Sequence, residues 1–209
     1  MNADTLTVVL NKVRACRVCR DRPAYGGPLP HEPRPVLQLT DQPRLLLAGQ
    51  APGARVHASG QPFTDPSGDR LRRWLGLDES TFYDEAKLAI VPMGFCFPGY
   101  DARGSDLAPR RECRETWHNK IFATRPSFDL TLLIGRYARD YHLPEHAREN
   151  LTQTIQRYAG DLDAVRTARA LVLPHPSWRN TAWLKRHPWF EDAFVPRLQA
   201  RVANLLAQA

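Results

Sequence analysis

Short apolar runs that stop abruptly at glycine or proline recur along this chain. Leu45-Leu46-Leu47-Ala48 stops at Gly49, Ala89-Ile90-Val91 at Pro92, Leu130 to Ile134 at Gly135, and Ala170 to Leu173 at Pro174. Brief unbroken apolar runs of this kind predict strands buried on both faces, as in a parallel sheet. Between them the apolar period lengthens to that of a helix. Ser67 to Leu75 puts Leu71, Trp74 and Leu75 on one face, with Ser67 as the cap. Further helices are predicted over 4–15, Arg110 to Thr124, Arg136 to Tyr141, Ala147 to Ala159, and from about Pro196 to Ala207. This alternation predicts one α/β domain spanning 1–209, a three-layer α/β/α arrangement around a central, mainly parallel four-stranded sheet. Residues 1–43 read as an N-terminal wrapping segment, Pro-rich over 20–43, with one short strand near Val36 to Leu39.

Composition narrows the class. A chain of 209 residues with 43% hydrophobic and 24% charged residues fits one globular domain. No apolar stretch approaches the ~20 residues that cross a bilayer. Met1-Asn2-Ala3-Asp4 does not open like a secretory signal. The expectation is a cytoplasmic monomer with no membrane partner. Lys and Arg number 29 against 22 Asp and Glu, a formal charge of +7, which fits a polyanionic partner, nucleic acid first.

The four cysteines are Cys16 and Cys19, a C-x2-C pair, and Cys96 and Cys113, with sixteen residues between them. Four thiolates can close a zinc site or hold an iron–sulfur cluster, and the spacing alone does not choose. Arg14, Arg17, Arg20 and Arg22 surround the first pair, where positive charge would stabilise thiolates or contact phosphates.

Two of the strand ends lead into polar turns. The first gives Gly49-Gln50-Ala51-Pro52-Gly53, with Gly60-Gln61-Pro62-Phe63 shortly after, and the last gives Pro174-His175-Pro176-Ser177. Open α/β sheets bind ligands at such strand ends.

Taken in this order and spacing, the C-x2-C pair, the Gly-x-Ala-Pro-Gly loop, Gly-x-Pro-Phe, the two later cysteines and His-Pro-Ser resemble the uracil-DNA glycosylase superfamily. The resemblance is strongest to its iron–sulfur branch, family 4, and runs from Cys16 to the C-terminal helix. It implies a [4Fe–4S] cluster on Cys16, Cys19, Cys96 and Cys113, structural in role, with zinc as the alternative. It also implies DNA, single- or double-stranded and damaged, as the partner.

Cleaving an N-glycosidic bond in DNA requires a flipped base in a pocket. On this resemblance Gly49, Ala51, Phe63 and Pro92 would contact the base, with Phe63 as its stacking face. His175 would donate to the pyrimidine carbonyl that gains charge as the bond breaks. Ser177 would hold a flanking phosphate, and Trp178 and Arg179 would enter the gap left in the helix. Two positions differ from the family. Gln50 stands where family 4 has Glu, with Ala51 next, so the loop can orient water but cannot take its proton. Pro92 stands where family 4 has the Asn that reads uracil. His57 or Asp65 could supply the missing water-activating group. The aromatic and basic stretch Arg179 to Phe190 suits DNA contact, with Trp183 and Trp189 packed in the core. The expected function is a base-excision glycosylase acting on a deaminated base, uracil first. The alternatives are a glycosylase for hypoxanthine or xanthine, a non-catalytic iron–sulfur DNA-binding module, and a zinc-stapled domain without a DNA role.

Overall fold

A computed structural model describes residues 5–125, 127–159 and 162–208; Met1 to Asp4, where the first helix was expected to begin, lie outside them. Four strands, β1 (Leu45–Ala48), β2 (Leu88–Ile90), β3 (Leu130–Ile134) and β4 (Ala170–Leu173), form one sheet in the order β2-β1-β3-β4. Every neighbouring pair is parallel, and Leu47 sits level with Ile90 on one side and Leu132 on the other. The chain leaves β1 for β2 in one direction and β3 for β4 in the other. The winding therefore reverses between β1 and β3, where an open sheet leaves a crevice beyond the strand ends.

Alternate strand residues feed two separate cores. Leu45, Leu47, Leu88 and Ile90 pack on one face with Leu71, Trp74 and Leu75 of the helix Pro66–Leu75 and Leu198 and Val202 of the helix Val195–Ala207. Leu46, Ala89 and Val91 pack on the other with Val9, Leu10 and Val13 of the helix Leu6–Arg14 and Trp117 and Ile121 of the helix Arg111–Thr124. This is the expected three-layer α/β/α arrangement. Each fully buried leucine in it contributes about 1.5–3 kcal/mol through removal from water. Trp183 and Trp189 pack against the first core, and the Trp183 indole N–H donates to Thr152 Oγ1 at 2.9 Å.

Several local features differ from the sequence reading. The cap of the helix Pro66–Leu75 is Asp65, whose Oδ1 accepts from the Gly68 amide, and Ser67 lies inside the first turn. Pro66 explains the shift: proline suits the first helical position, so the residue before it becomes the cap. The strand expected near Val36 to Leu39 shrinks to one antiparallel bridge between Gln38 and Ile90, because the Val36 amide donates instead to Phe95 O at 2.7 Å, beyond the end of β2. The short helix Ala54–Ser59 carries no sequence signal. Arg34 secures its end by donating to the carbonyls of His57 and Ala58 at 3.0 and 2.5 Å. No helix among the described residues is long and apolar enough to cross a membrane.

His118 is buried and His142 half-buried beside it. Burial pushes the pKa of His118 and of His142 down to about 4, and for His118 the neighbouring His142 adds to the effect. An unfolded histidine takes its proton near pH 6.5, so between there and about pH 4 the unfolded chain binds more protons than the folded one. Stability is then fully present above pH 6.5 and falls as pH drops through that window. The urea midpoint is expected to fall steadily between pH 7 and 5, and His142→Phe is expected to flatten the slope. An equal slope in the variant would contradict this account.

Candidate active site

The four parallel strands end on one edge, and a cleft of about 440 Å³ opens there. Its lining comes from the segments that follow β1, β2 and β4. The turn after β1 is held by hydrogen bonds that prolong the pairing with β2: the Met93 amide donates to Gly49 O at 2.9 Å and the Gly94 amide to Gln50 O at 3.0 Å. Gln50, Ala51, Pro52 and Gly53 thus form one wall and Pro92 another.

Phe63 projects from the loop before the helix Pro66–Leu75. It is the one non-glycine among the described residues with positive φ, at 55°. Such a conformation costs about 1–3 kcal/mol and persists only where its surroundings hold it. Here they do. The Tyr83 hydroxyl and the Arg72 guanidinium donate to Phe63 O at 3.2 and 3.3 Å. That carbonyl lies against Gly68, where a Cβ would come within 1.7 Å of it. The result sets the ring over Gly49, its Cζ 3.5 Å from where a Cβ would stand. The Phe63 ring and the bare backbone of Gly49 therefore share one wall of the cleft.

His175 enters from the turn after β4. The Ser177 amide donates to His175 Nδ1 at 3.2 Å. A backbone amide can only donate, so Nδ1 carries no proton and the ring proton sits on Nε2. Burial holds the pKa of His175 below the ordinary value; Asp65 opposes that effect and Arg179 reinforces it. The ring is therefore a neutral donor. The Asn180 side-chain amide fixes its backbone by donating to His175 O at 2.7 Å, and Arg70 ties down the turn by donating to Ser177 O at 3.0 Å.

The model of the family described as the uracil DNA glycosylase superfamily matches residues 37–199, well over half of the chain. The protein belongs to that superfamily.

Superfamily membership puts the remaining cleft residues in context. Pro92 lines the wall, and its carbonyl accepts from His118 Nε2 at 3.1 Å. No side-chain amide stands at that position. Asp65, Ser177, Trp178 and Arg179 all line the cleft, and Trp178 is 76% exposed at its mouth. His57 does not line it. Helical rotation turns Val56 toward the cleft and the next residue away, so the His57 ring packs on His31 at 4.2 Å between centroids. Of the two candidates for a water-activating group, the structure brings Asp65 and not His57 to the cleft lining. Asp106, Ser67 and Asn180 also line the cleft and were not expected there from sequence. Asp106 sits in a polar stretch, Asp101 to Asp106, that gives no sign of which aspartate turns inward.

The four cysteines, all free thiols, line one small cavity with Leu29, Pro33, Pro35 and Phe95 in the layer opposite the helix Pro66–Leu75. Two of the sulfurs already accept hydrogen bonds, Cys16 Sγ from the Trp117 indole N–H at 3.1 Å and Cys113 Sγ from the Phe95 amide at 3.3 Å. Burial pushes the Cys19 thiol up to about 11 and the Cys96 thiol up to about 12, and raises Cys113 well above the ordinary range. Among the described residues, no three His, Cys, Asp or Glu side chains are grouped as ligands of a single metal ion. The arginines expected beside the first pair are partly engaged elsewhere, Arg17 with Asp21 and Glu32 and Arg20 with Leu29 O. The cation acting on Cys19 is Arg110.

Gly68→Ala tests the wedge under Phe63. The added methyl must push the Phe63 carbonyl away, and a displacement of about 1 Å at a catalytic wall can cost 10²-fold in rate. Activity is expected to fall by about that factor, at a stability cost of about 1–3 kcal/mol from overpacking. Unchanged turnover in a folded G68A protein would show that the wedge of Gly68 under the Phe63 carbonyl does not set the site's geometry.

Proposed function

We propose that the protein is a DNA glycosylase of base-excision repair that hydrolyses the N-glycosidic bond of a flipped deaminated base, uracil first. One observation carries this reading: an aromatic face, Phe63, and a neutral Nε2–H donor, His175, line the same strand-end cleft of a superfamily member. The base would stack on Phe63. As the C1′–N bond breaks, its electron pair goes with the base and negative charge collects on the ring carbonyl. A donor fixed in advance stabilises that charge without reorganising. A neutral histidine serves here better than a charged one, because protonating Nδ1 would oppose the Ser177 amide. Trp178 and Arg179 would hold the duplex open at the mouth of the cleft.

A second reading concerns the base. Pro92 presents only a carbonyl, already engaged by His118, so no side chain at that wall distinguishes uracil from another deaminated base. A site without a polar reader leaves nothing unpaired when the wrong base enters, so hypoxanthine or xanthine would be admitted too.

We also propose that Cys16, Cys19, Cys96 and Cys113 hold a [4Fe–4S] cluster. Support comes from four sulfurs around one cavity, two of them already hydrogen-bonded as cluster sulfurs commonly are. The cluster would staple the N-terminal segment to the helix Arg111–Thr124 and would take no part in the hydrolysis.

Single- and double-stranded oligonucleotides carrying uracil, hypoxanthine or xanthine, cleaved by alkali after incubation, test the function. Alkali-labile product is expected first with uracil, and His175→Ala is expected to cut the rate by about 10²–10³-fold or more with the fold intact. A wild type inert on all three, yet binding DNA in a salt-dependent way, would replace the enzyme with a binding module. Freshly purified protein is expected to be brown and to contain iron, and colourless protein replete in zinc would overturn the cluster.

A further inference from the structure

The cleft holds one carboxylate whose role the superfamily motifs do not supply. Asp106 lies on the excursion between β2 and the helix Arg111–Thr124. That excursion is a tight hairpin. The Asp101 carboxylate accepts from the amides of Arg103 and Ser105 at 2.9 and 2.8 Å, the Leu107 amide donates to Gly99 O at 2.9 Å, and Tyr100 pairs with Asp106 as an antiparallel bridge. The hairpin places Asp106 in the cleft lining. Its Oδ2 stands 3.6 Å from where a Cβ on Gly53 would be, against the last glycine of the turn after β1.

Two carboxylates in the cleft could take a proton from water, Asp65 and Asp106, and Gln50 in the same lining could orient it. Gln50 is an amide and cannot accept a proton. Asp65 gives one oxygen to its helix, Oδ1 accepting from the Gly68 amide at 3.3 Å. Among the described residues, nothing donates a hydrogen bond to the Asp106 carboxylate, so its lone pairs face the cleft and its solvent. We infer that Asp106 is the general base of the hydrolysis, with Gln50 orienting the water it activates. This inference rests on the glycosylase reading above.

The surroundings suit the task. Asp106 is exposed at the cleft, and loss of some of its water raises its pKa; Arg179 opposes that rise and nearby Asp65 adds to it. The direction improves the carboxylate as a proton acceptor near neutral pH. The step balances without any oxidant or cofactor. The C1′–N bond breaks and its electron pair leaves with the base. The water oxygen bonds to C1′. Its proton passes to Asp106 and then, directly or through solvent, to the departed base nitrogen. Water is consumed and the enzyme is restored.

The test is single-turnover excision by the whole protein and by Asp106→Asn, Asp106→Glu and Asp65→Asn, on whichever base the wild type removes fastest. D106N is expected to lose about 10²–10⁴-fold in rate, with its melting temperature unchanged and its affinity for an abasic oligonucleotide undiminished. D106E is expected to recover part of the loss. D65N is expected to lose less rate than D106N, since Asn can also supply the helix cap that Asp65 Oδ1 makes. The wild-type rate should fall on acidification, and D106N should lack that limb. D106N at the wild-type rate would overturn the inference alone, and so would a rate loss matched by lost DNA affinity and melting temperature. A wild type inert on every base would overturn the glycosylase reading, and this inference with it.

Discussion

Four parallel strands all end on the same edge of their sheet, because each must return through a connection laid across a face. The cleft depends on that constraint. It brings the turns after β1, β2 and β4, far apart in sequence, to the same crevice where the winding reverses. Both cores then serve to hold the edge still. The core under the helix Pro66–Leu75 fixes Phe63 through Gly68, Tyr83 and Arg72. The core on the opposite face fixes the cysteine cavity and, through His118, the carbonyl of Pro92.

The site concentrates strain and pre-set polarity at a few atoms. Phe63 alone among the described non-glycine residues has positive φ, and three separate contacts meet at its carbonyl. His175 has its tautomer chosen by one backbone amide. Features that cost stability and yet are firmly held are the mark of a working surface. Electrostatics point the same way. Asp65 and Arg179 sit close enough to act on both Asp106 and His175, so the cleft carries charge of both signs.

Much of this was legible in the sequence, because the signals were local. Apolar runs ended by Gly49, Pro92, Gly135 and Pro174 marked all four strands to within a residue or so, and the two polar turns marked both walls of the cleft. What escaped was set by tertiary contact. The short helix Ala54–Ser59 depends on Arg34 at its end, and that helix carries His57 out of the cleft. Asp106 reaches the cleft only because a hairpin folds back, and Asp101, its near neighbour in an equally polar stretch, is used up in shaping that hairpin. Ser67 resembled a cap, yet Pro66 moved that role to Asp65.

The central claim is that His175 stands ready as a neutral donor, its proton on Nε2. Nitrogen-15 chemical shifts of the His175 imidazole at pH 7, in protein labelled at histidine, report this directly. The account predicts a protonated Nε2 and an unprotonated Nδ1. A proton on Nδ1, or on both nitrogens, would contradict it.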